Sequence, residues 1–396
     1  MKLSNLALLN ITVFLKSQSY LLPVILLFYI QNGLDAADFF FFQGIVSFTE
    51  LILGLPGGYL SDYFSKKTIL IFSYFMLFMR YALWLCFGGY WIILSGEICY
   101  AIYKSLFQSA AEGYIYQYLS DNEKTAKNLK KFGKFNAAAS LGSAFSSLFG
   151  TYIFKHTGFV VVLSVQLCII SLGIFLLICI KPVNKAKYEK QRAYHTFKDF
   201  ISLGKTFYNS KLKFYILTSG IFIAVTSLFV NTFQPLMKFG NVPLMFFGYV
   251  YFFNHITRFI SSLYTDKIIK ICNLKMLGYV CFILCLISFV LMFYIIKYDL
   301  FFMVVPLLLF ACIGVALVLC LNIGVVSFLQ EHSVLENRSM MASLNNTFMR
   351  FSSSLILFIN TFILEHIGFQ YEPVLGIVCL VAAFCMITKL NFTKAN

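Results

Sequence analysis

Long apolar runs dominate this sequence and decide what it can fold into. Runs such as "LLPVILLFYI" (21–30) and "FFMVVPLLLFACIGVALVLCLNIGVV" (301–326) recur from one end of the chain to the other. About 20 consecutive apolar residues cross the hydrocarbon core of a bilayer as a helix. With 60% hydrophobic and only 12% charged residues, the chain carries more apolar surface than a water-soluble domain buries. The sequence therefore predicts an all-α polytopic membrane protein.

The apolar runs predict twelve spans, and the first is too long for a signal peptide. The predicted spans are 5–31, 37–62, 67–88, 90–118, 131–154, 158–181, 213–239, 244–264, 274–297, 299–329, 339–365 and 372–390. The longest polar stretch lies near the midpoint and divides the spans into six and six. We expect an N-terminal six-helix bundle (1–180), a basic linker (181–212) and a C-terminal six-helix bundle (213–396). The linker is either an amphipathic helix on the membrane surface or a solvated tether.

Basic residues outside the spans lie almost wholly on one side of the predicted membrane. With a cytoplasmic N-terminus, cytoplasmic segments hold 23 of the 31 Lys and Arg residues, and the opposite segments hold only Lys155, Lys238 and Lys297. The positive-inside rule then predicts that both termini are cytoplasmic. Membrane topology accounts for the net charge of +15, so we expect no nucleic-acid partner. The expected location is the bacterial inner membrane.

Cysteine and histidine patterns argue against metal and enzyme sites. Cys281 and Cys285 share a helix face, but no histidine or second cysteine pair completes a metal-ligand set. The five histidines are dispersed, and no GxSxG, HExxH or phosphate-cradling glycine loop occurs in a suitable context. We therefore expect no metal and no cofactor. A polytopic membrane enzyme and a non-transporting receptor remain the alternatives of another class.

A weak internal repeat relates the two halves. The segment "GYLSDYFSKK" (58–67) follows the second span and aligns with "SLYTDKIIKI" (262–271), which follows the eighth, so that Asp62 falls on Asp266. Two parallel six-helix halves are the architecture of a large class of secondary transporters.

The segment 58–67 resembles the signature of the major facilitator superfamily between spans two and three. That signature reads glycine, any, leucine, small, aspartate, basic, any, glycine, basic, basic. Six of the eight specified positions match, and Tyr63 and Ser65 depart from it. With twelve spans and a basic midpoint linker, the resemblance covers essentially the whole chain. It implies two parallel six-helix halves that transport a solute by alternating access.

The resemblance also implies a conformational latch around this segment. Asp62 would accept hydrogen bonds at the start of span eleven, where the helix dipole favours an anion. Lys66 and Lys67 would pair with an acid at the end of span four, such as Glu112 or Asp121, or serve only as topology anchors. The residues predicted for the latch are Gly58, Asp62, Lys66, Lys67, Glu112 and Asp266.

Ionisable side chains inside the spans mark the predicted transport site. Each costs about 2.5–3.5 kcal/mol at the centre of a helix, so it usually faces a cavity or a partner. Helical spacing places them on polar faces of spans one, two, four, eight and eleven. The predicted substrate contacts are Lys16, Lys104, Arg258, Arg350, Asn346 and Gln234, and the predicted proton-coupling groups are Glu50, Glu97 and His255.

A structural interpretation competes with this one. Ion pairs such as Glu97 with Lys104, or Lys16 with Glu50, would merely hold helices together. Arg80 lies on a span that the resemblance places at the periphery, so it is expected to have a structural or snorkelling role.

Charge and motif evidence indicate a class of solute. The cations in the spans outnumber Glu50 and Glu97, which suits an anionic or zwitterionic compound such as a carboxylate metabolite, a siderophore or a drug. Protons are the expected driving force, because no pair of acids is arranged for sodium. The stretch 95–124 resembles small exporters of the superfamily, so proton-coupled export is preferred. The alternative is uptake of an organic anion or peptide-like nutrient by proton symport. A monomer is expected, with a small-molecule substrate and the lipid bilayer as its partners.

Overall fold

The computed structural model describes residues 5–120, 128–180, 212–331 and 338–390. Within these ranges, side chains are described except at 5–7, 55, 57–59, 61–63, 109, 112–113, 115–120, 128–136, 330–331 and 338–343. The predicted linker 181–212 lies almost entirely outside the described residues.

Spanning segments in the described ranges are helical, since a bilayer offers no water to satisfy free backbone groups. In chain order the helices are Asn5–Ser17 and Ile25–Gln31 (together span one), Ala36–Tyr63 (span two), Lys66–Cys86 (three), Tyr90–Ser120 (four), Asn128–Cys179 (five and six), Lys213–Phe239 (seven), Leu244–Ile271 (eight), Leu274–Lys297 (nine), Val304–Glu331 (ten), Arg338–His366 (eleven) and Glu372–Thr388 (twelve).

The described helices make the twelve predicted crossings. Nine segments of the described chain are long and apolar enough to cross a membrane. One of them, Ala137–Cys179, has 43 residues, which is roughly 65 Å of helix and enough to cross twice. It turns back at Gly158, whose φ of 78° interrupts the helix. Spans four and eight complete the set and are less apolar, because each carries two ionisable residues of the predicted site, whereas spans one, two and eleven carry one each.

Short turns join consecutive spans on one face of the bundle, here called the turn face. Each of its six turns contains one residue with positive φ: Gly33, Gly89, Gly158, Asn241, Asp299 and Gly368. Glycine adopts this conformation without a Cβ clash, and Asn and Asp tolerate it better than other residues. The opposite face, here called the linker face, carries the more basic connections, among them the midpoint linker.

Side-chain caps fix where several spans begin. Asp35 accepts from the backbone N–H of Asp38, and Asp38 accepts in return from that of Asp35, which forms a capping box at the start of span two. Ser65 caps span three through the N–H of Thr68, at 3.1 Å. Polar side chains close to each start in the sequence therefore determine where these two helices begin.

The two halves pack their helices in the same pattern. In the N-terminal half span one packs on five, two on four, and three on four and six. In the C-terminal half span seven packs on eleven, eight on ten, and nine on ten and twelve. Adding six to each number converts the first pattern into the second. The halves meet where span two packs on eleven and span five on eight, as expected for two parallel six-helix halves.

The described contacts between the halves lie between the middle of the bundle and the turn face. A Cβ atom added to Gly248 of span eight would lie 2.9 Å from the backbone oxygen of Ser147 of span five. On the other side, the hydroxyl of Ser354 in span eleven donates to the carbonyl of Gly44 in span two at 3.3 Å. Small residues therefore let the halves approach closely here, as they do between other helices in lipid.

Candidate functional site

Span one is broken where it passes the contact between the halves. Its first helix ends at Ser17 and its second begins at Ile25, after a short 3-10 turn, Leu22–Val24. Side chains from spans five and six satisfy the freed backbone groups. Gln166 donates to the carbonyl of Gln18 at 2.7 Å and accepts from the N–H of Tyr20 at 3.0 Å. Ser146 accepts from the N–H of Ser19, and Ser143 donates to the carbonyl of Ser17.

Gln234 joins this broken helix to the other half. Its oxygen accepts from the N–H of Leu26 at 2.8 Å, and its amide nitrogen donates to the carbonyl of Leu22 at 2.8 Å. The same nitrogen lies 3.1 Å from the hydroxyl of Tyr251, and the side chain is 0% exposed. Gln234 was predicted to contact substrate, but in this conformation both ends of its amide are engaged by protein.

Two ion pairs that share one carboxylate lie where spans two, four and eleven meet. The carboxylate of Glu50 lies 2.5 Å from Lys104 Nζ and 2.9 Å from Arg350 Nε. The Glu50 side chain is 4% exposed, whereas those of Lys104 and Arg350 are 32% and 30% exposed. Partly exposed cations at this depth indicate a cavity, because charged groups avoid lipid. We call Glu50, Lys104 and Arg350 the central cluster; Arg350 belongs to one half and the other two to the other half.

Lys16 adds a further cation beside the central cluster. Its Nζ lies 3.6 Å from the ring centroid of Phe107 and 5.5 Å from that of Tyr103. Lys104 is close enough to repel it electrostatically. Aromatic faces attract cations, so these rings stabilise Lys16, whereas Lys104 is paired with Glu50.

Glu97 lies in a separate buried network of the N-terminal half. Arg80 of span three donates to it at 2.7 Å, and Tyr29 of span one donates to the same oxygen. The guanidinium of Arg80 also lies 4.0 Å from the ring centroid of Tyr100 and 4.4 Å from that of Trp84. Glu97 is 0% and Arg80 4% exposed. Arg80 is therefore buried and paired, and it does not snorkel.

The ion pairs that the sequence suggested are not those in the structure. Glu97 pairs with Arg80 instead of Lys104, and Glu50 pairs with Lys104 and Arg350 instead of Lys16. The physical reason is that span four packs on both span three and span two. Glu97 and Lys104 share a face of span four but lie about 10 Å apart along it, so each pairs with a nearer group, on span three and on span two respectively.

The remaining predicted contacts lie in the C-terminal half. His255 is 8% exposed, its Nε2 has no hydrogen-bond partner among the described residues, and Arg258 one turn away is half-buried. Asn346 is half-buried one turn from Arg350. Its neighbour Asn345 is buried and donates to Asn322 at 3.4 Å. Within the described part of the chain, no hydrogen bond or ion pair joins His255, Arg258 or Asn346 to the central cluster.

The predicted latch is described only in part. Gly58, Asp62 and Glu112 are helical positions whose surroundings the structure does not describe. Lys67 donates from Nζ to the carbonyl of Ile178 at 2.6 Å, at the C-terminal end of span six, where the helix dipole favours a cation. Lys66 is half-buried and Asp266 is exposed.

Sequence reasoning missed several buried polar residues, among them Gln166 and Glu372. Gln166 was not singled out, although an amide in the middle of an apolar run is itself a signal. Glu372 was overlooked because it stands at the start of span twelve, where an acid is ordinary. The structure buries it completely against Thr232 of span seven. Among the described residues, no three metal-ligating side chains lie together.

Comparisons with known proteins agree with this architecture. The family model of the Major Facilitator Superfamily matches residues 7–357. A crystal structure of a mutant of the nucleoside transporter NupG is similar, with a TM-score of 0.77 over 98% of this chain and 99% of that chain. Only 12% of residues are identical, so this likeness shows the fold alone. No curated protein sequence matches this chain. The family match covers most of the sequence, and the chain therefore belongs to the major facilitator superfamily of membrane transporters.

Proposed function

We propose that this transporter exports a small zwitterionic solute bearing a carboxylate, in exchange for protons that bind Glu50. The observation that carries the proposal is the central cluster. One buried carboxylate is held by a cation of each half, Lys104 and Arg350. A solute that replaced these contacts would be held by both halves, as alternating access requires.

Charge accounting supports a zwitterion. The central cluster has two positive groups and one negative group, and burying any of them unpaired is costly. An ammonium group of the solute can pair with Glu50 while its carboxylate pairs with Arg350 and Lys104. All charges then remain paired, and Arg350 can hold a carboxylate through two parallel hydrogen bonds. Lys16, with no acid beside it among the described residues, suits the same carboxylate.

Exchange of solute for protons follows if both compete for the carboxylate of Glu50. A solute ammonium and a proton would both neutralise Glu50, so each excludes the other. Protons entering the cell down their gradient would then displace the solute outward.

The described contacts of Gln234, Gly248 and Gly44 close the turn face in this conformation. The distribution of basic residues supports placing the linker face in the cytoplasm, at the bacterial inner membrane. A monomer suffices, because one chain contains the whole central cluster.

A second candidate is uptake of a purely anionic solute together with protons. The specific observation in its favour is that two cations share one carboxylate. A proton on Glu50 would release Lys104 and Arg350 for a solute anion, so that proton and anion would bind together. Charge on the solute and direction of transport are therefore linked.

Accumulation by the full-length protein in liposomes distinguishes the candidates. The probes are a labelled amino-acid mixture, labelled citrate and, because NupG is a nucleoside transporter, labelled uridine. Each is tested with the acid side inside and then outside. Exchange predicts that amino acids accumulate when the inside is acid. Symport predicts that citrate accumulates when the outside is acid. Movement of uridine alone would contradict both candidates, since a neutral nucleoside leaves the cluster charges unused.

Substitution Glu50→Gln tests the proton role. The amide cannot exchange a proton, so we expect accumulation driven by a pH gradient to be lost. Exchange of labelled for unlabelled solute needs no net proton movement and is expected to survive at a higher KM, because the amide still accepts from the solute ammonium but no longer neutralises it. Glu365→Gln is the matched control, because that side chain is 53% exposed at the end of span eleven. Retention of pH-driven accumulation in the Glu50 variant would assign the proton to another group.

A further inference from the structure

Glu372 is a carboxyl group that the proposed function does not use. It is the first residue of span twelve and is 0% exposed. The hydroxyl of Thr232 in span seven contacts its Oε1. Its Oε2 has no hydrogen-bond partner among the described residues. One neutral hydrogen-bond partner, with none at the second oxygen, does little to stabilise a negative charge on this carboxyl group.

The hydrogen bonds around Thr232 point the same way. Its hydroxyl carries a single proton and also lies 2.8 Å from the carbonyl of Leu228, which can only accept. If the proton points to that carbonyl, Glu372 must supply the proton of the bond to Thr232. If it points to Glu372, an ionised carboxylate is buried with one neutral donor. Burial of a charge without a counter-charge is far more costly than burial of a neutral acid.

No charged neighbour offsets that cost within the described residues. Span twelve packs on spans seven, nine and eleven. Their ionisable residues near the turn face are exposed and none of them is bonded to Glu372: Lys238, Lys297, Asp299, Glu365 and His366. The start of a helix favours an anion, but Pro373 lacks an N–H, and no first-turn amide contacts Oε2.

We propose that Glu372 is a second proton-binding site, formed by spans seven and twelve and separate from the central cluster. It holds a proton while the turn face is closed. Thr232 and Gln234 lie two residues apart, just before Pro235, which cannot donate the helical bond to the carbonyl four residues earlier. On one side this segment contacts Glu372, and on the other it holds the backbone of span one. Opening of the turn face would pull Gln234 from span one, move Thr232 and release the proton.

Infrared spectroscopy of the full-length protein in lipid tests the occupancy. A protonated carboxyl has its own carbonyl band, apart from those of amides and carboxylates. We expect this band at neutral pH, and we expect Glu372→Gln to remove it while Glu365→Gln leaves it. Glutamine has the shape of the neutral acid, and the thermal midpoint reports whether the variant folds. Thr232→Val keeps the carboxyl and its fold, and should shift the band to higher frequency. Identical bands in the wild type and in the variants at positions 372 and 232 would overturn the proposal.

The rate at which the band shifts in deuterated water tests the link to the turn face. We expect faster exchange in Gln234→Ala, because that variant weakens the closed contact. Asn231→Ala is the control, since the bond that Asn231 makes among the described residues is within its own helix, to the carbonyl of Ser227. Equal rates in wild type and Gln234→Ala would disprove the link. Neither measurement involves transport, so its failure is distinguishable from failure of the proposed exchange at Glu50.

Discussion

Glu97 illustrates how one partner decides what a buried acid can do. Its carboxylate receives hydrogen bonds from Arg80 and Tyr29, and all three side chains are buried. Arginine stays protonated under all ordinary conditions. A proton on Glu97 would leave the guanidinium of Arg80 charged and unpaired in the interior. We therefore expect Glu97 to stabilise the packing of spans one, three and four, and we assign the proton to Glu50.

Substitution Glu97→Gln separates these roles. Breaking a buried ion pair by removing one partner costs about 3–5 kcal/mol. We expect the free energy of unfolding to fall by about that amount, as measured by denaturant unfolding in detergent. The control Glu365→Gln removes an exposed acid and should cost at most about 1 kcal/mol. Unchanged stability with loss of pH-driven transport would return the proton role to Glu97.

Residue identities at the site were predictable from the sequence, but their pairings were not. An ionisable residue in an apolar run is conspicuous, and Lys16, Glu50, Lys104 and Arg350 stand out for that reason. Helical spacing shows which residues share a face and does not show which helix lies opposite. Glu372 escaped notice for another reason, since an acid at the first turn of a helix normally faces water.

At the scale of elements, breaks within helices depend on partners distant in sequence. A continuous run of 5–31 predicts one span, and the structure interrupts it between Ser17 and Leu22. The interruption persists because Gln166, Ser146 and Gln234 bond the freed backbone. All three partners are far from the break in sequence, so no local pattern reports them. Spans five and six show the converse, because the local stretch 155–158, which is polar and ends in Gly158, marks their turn.

Gln234→Ala tests whether span seven holds the second part of span one. The N–H of Leu26 would lose its side-chain acceptor. We expect faster deuterium uptake in a peptide covering 22–31, measured by mass spectrometry on the reconstituted protein. Asn231→Ala is the control and should leave this uptake unchanged, because the amide it removes bonds within span seven, to the carbonyl of Ser227. Equal uptake in wild type and Gln234→Ala would mean that the bond contributes nothing to closure of the turn face.

For the whole molecule, the sequence was sufficient to predict the number of helices and their division into two halves. Backbone groups in lipid must bond internally, so the apolar runs predicted helices throughout, including the less apolar spans four and eight. The repeat between 58–67 and 262–271 predicted two similar halves, and the matching helix contacts agree with that prediction. Close approach between the halves was less accessible, because glycine is common in membrane helices and only the structure shows that Gly44 and Gly248 lie at the contact.

Gly248→Leu tests whether closure of the turn face depends on this approach of spans five and eight. The first added carbon would lie 2.9 Å from the backbone oxygen of Ser147, and backbone in a packed helix cannot yield as a flexible side chain does. Spin labels at positions 155 and 297, exposed on opposite halves near the turn face, report the separation in a background without the eleven native cysteines. We expect a new population at longer distance. Gly54→Leu is the control, since an added Cβ there meets nothing within 4 Å. Distances unchanged from wild type would show that the halves close through other contacts and that close approach at Gly248 is not required.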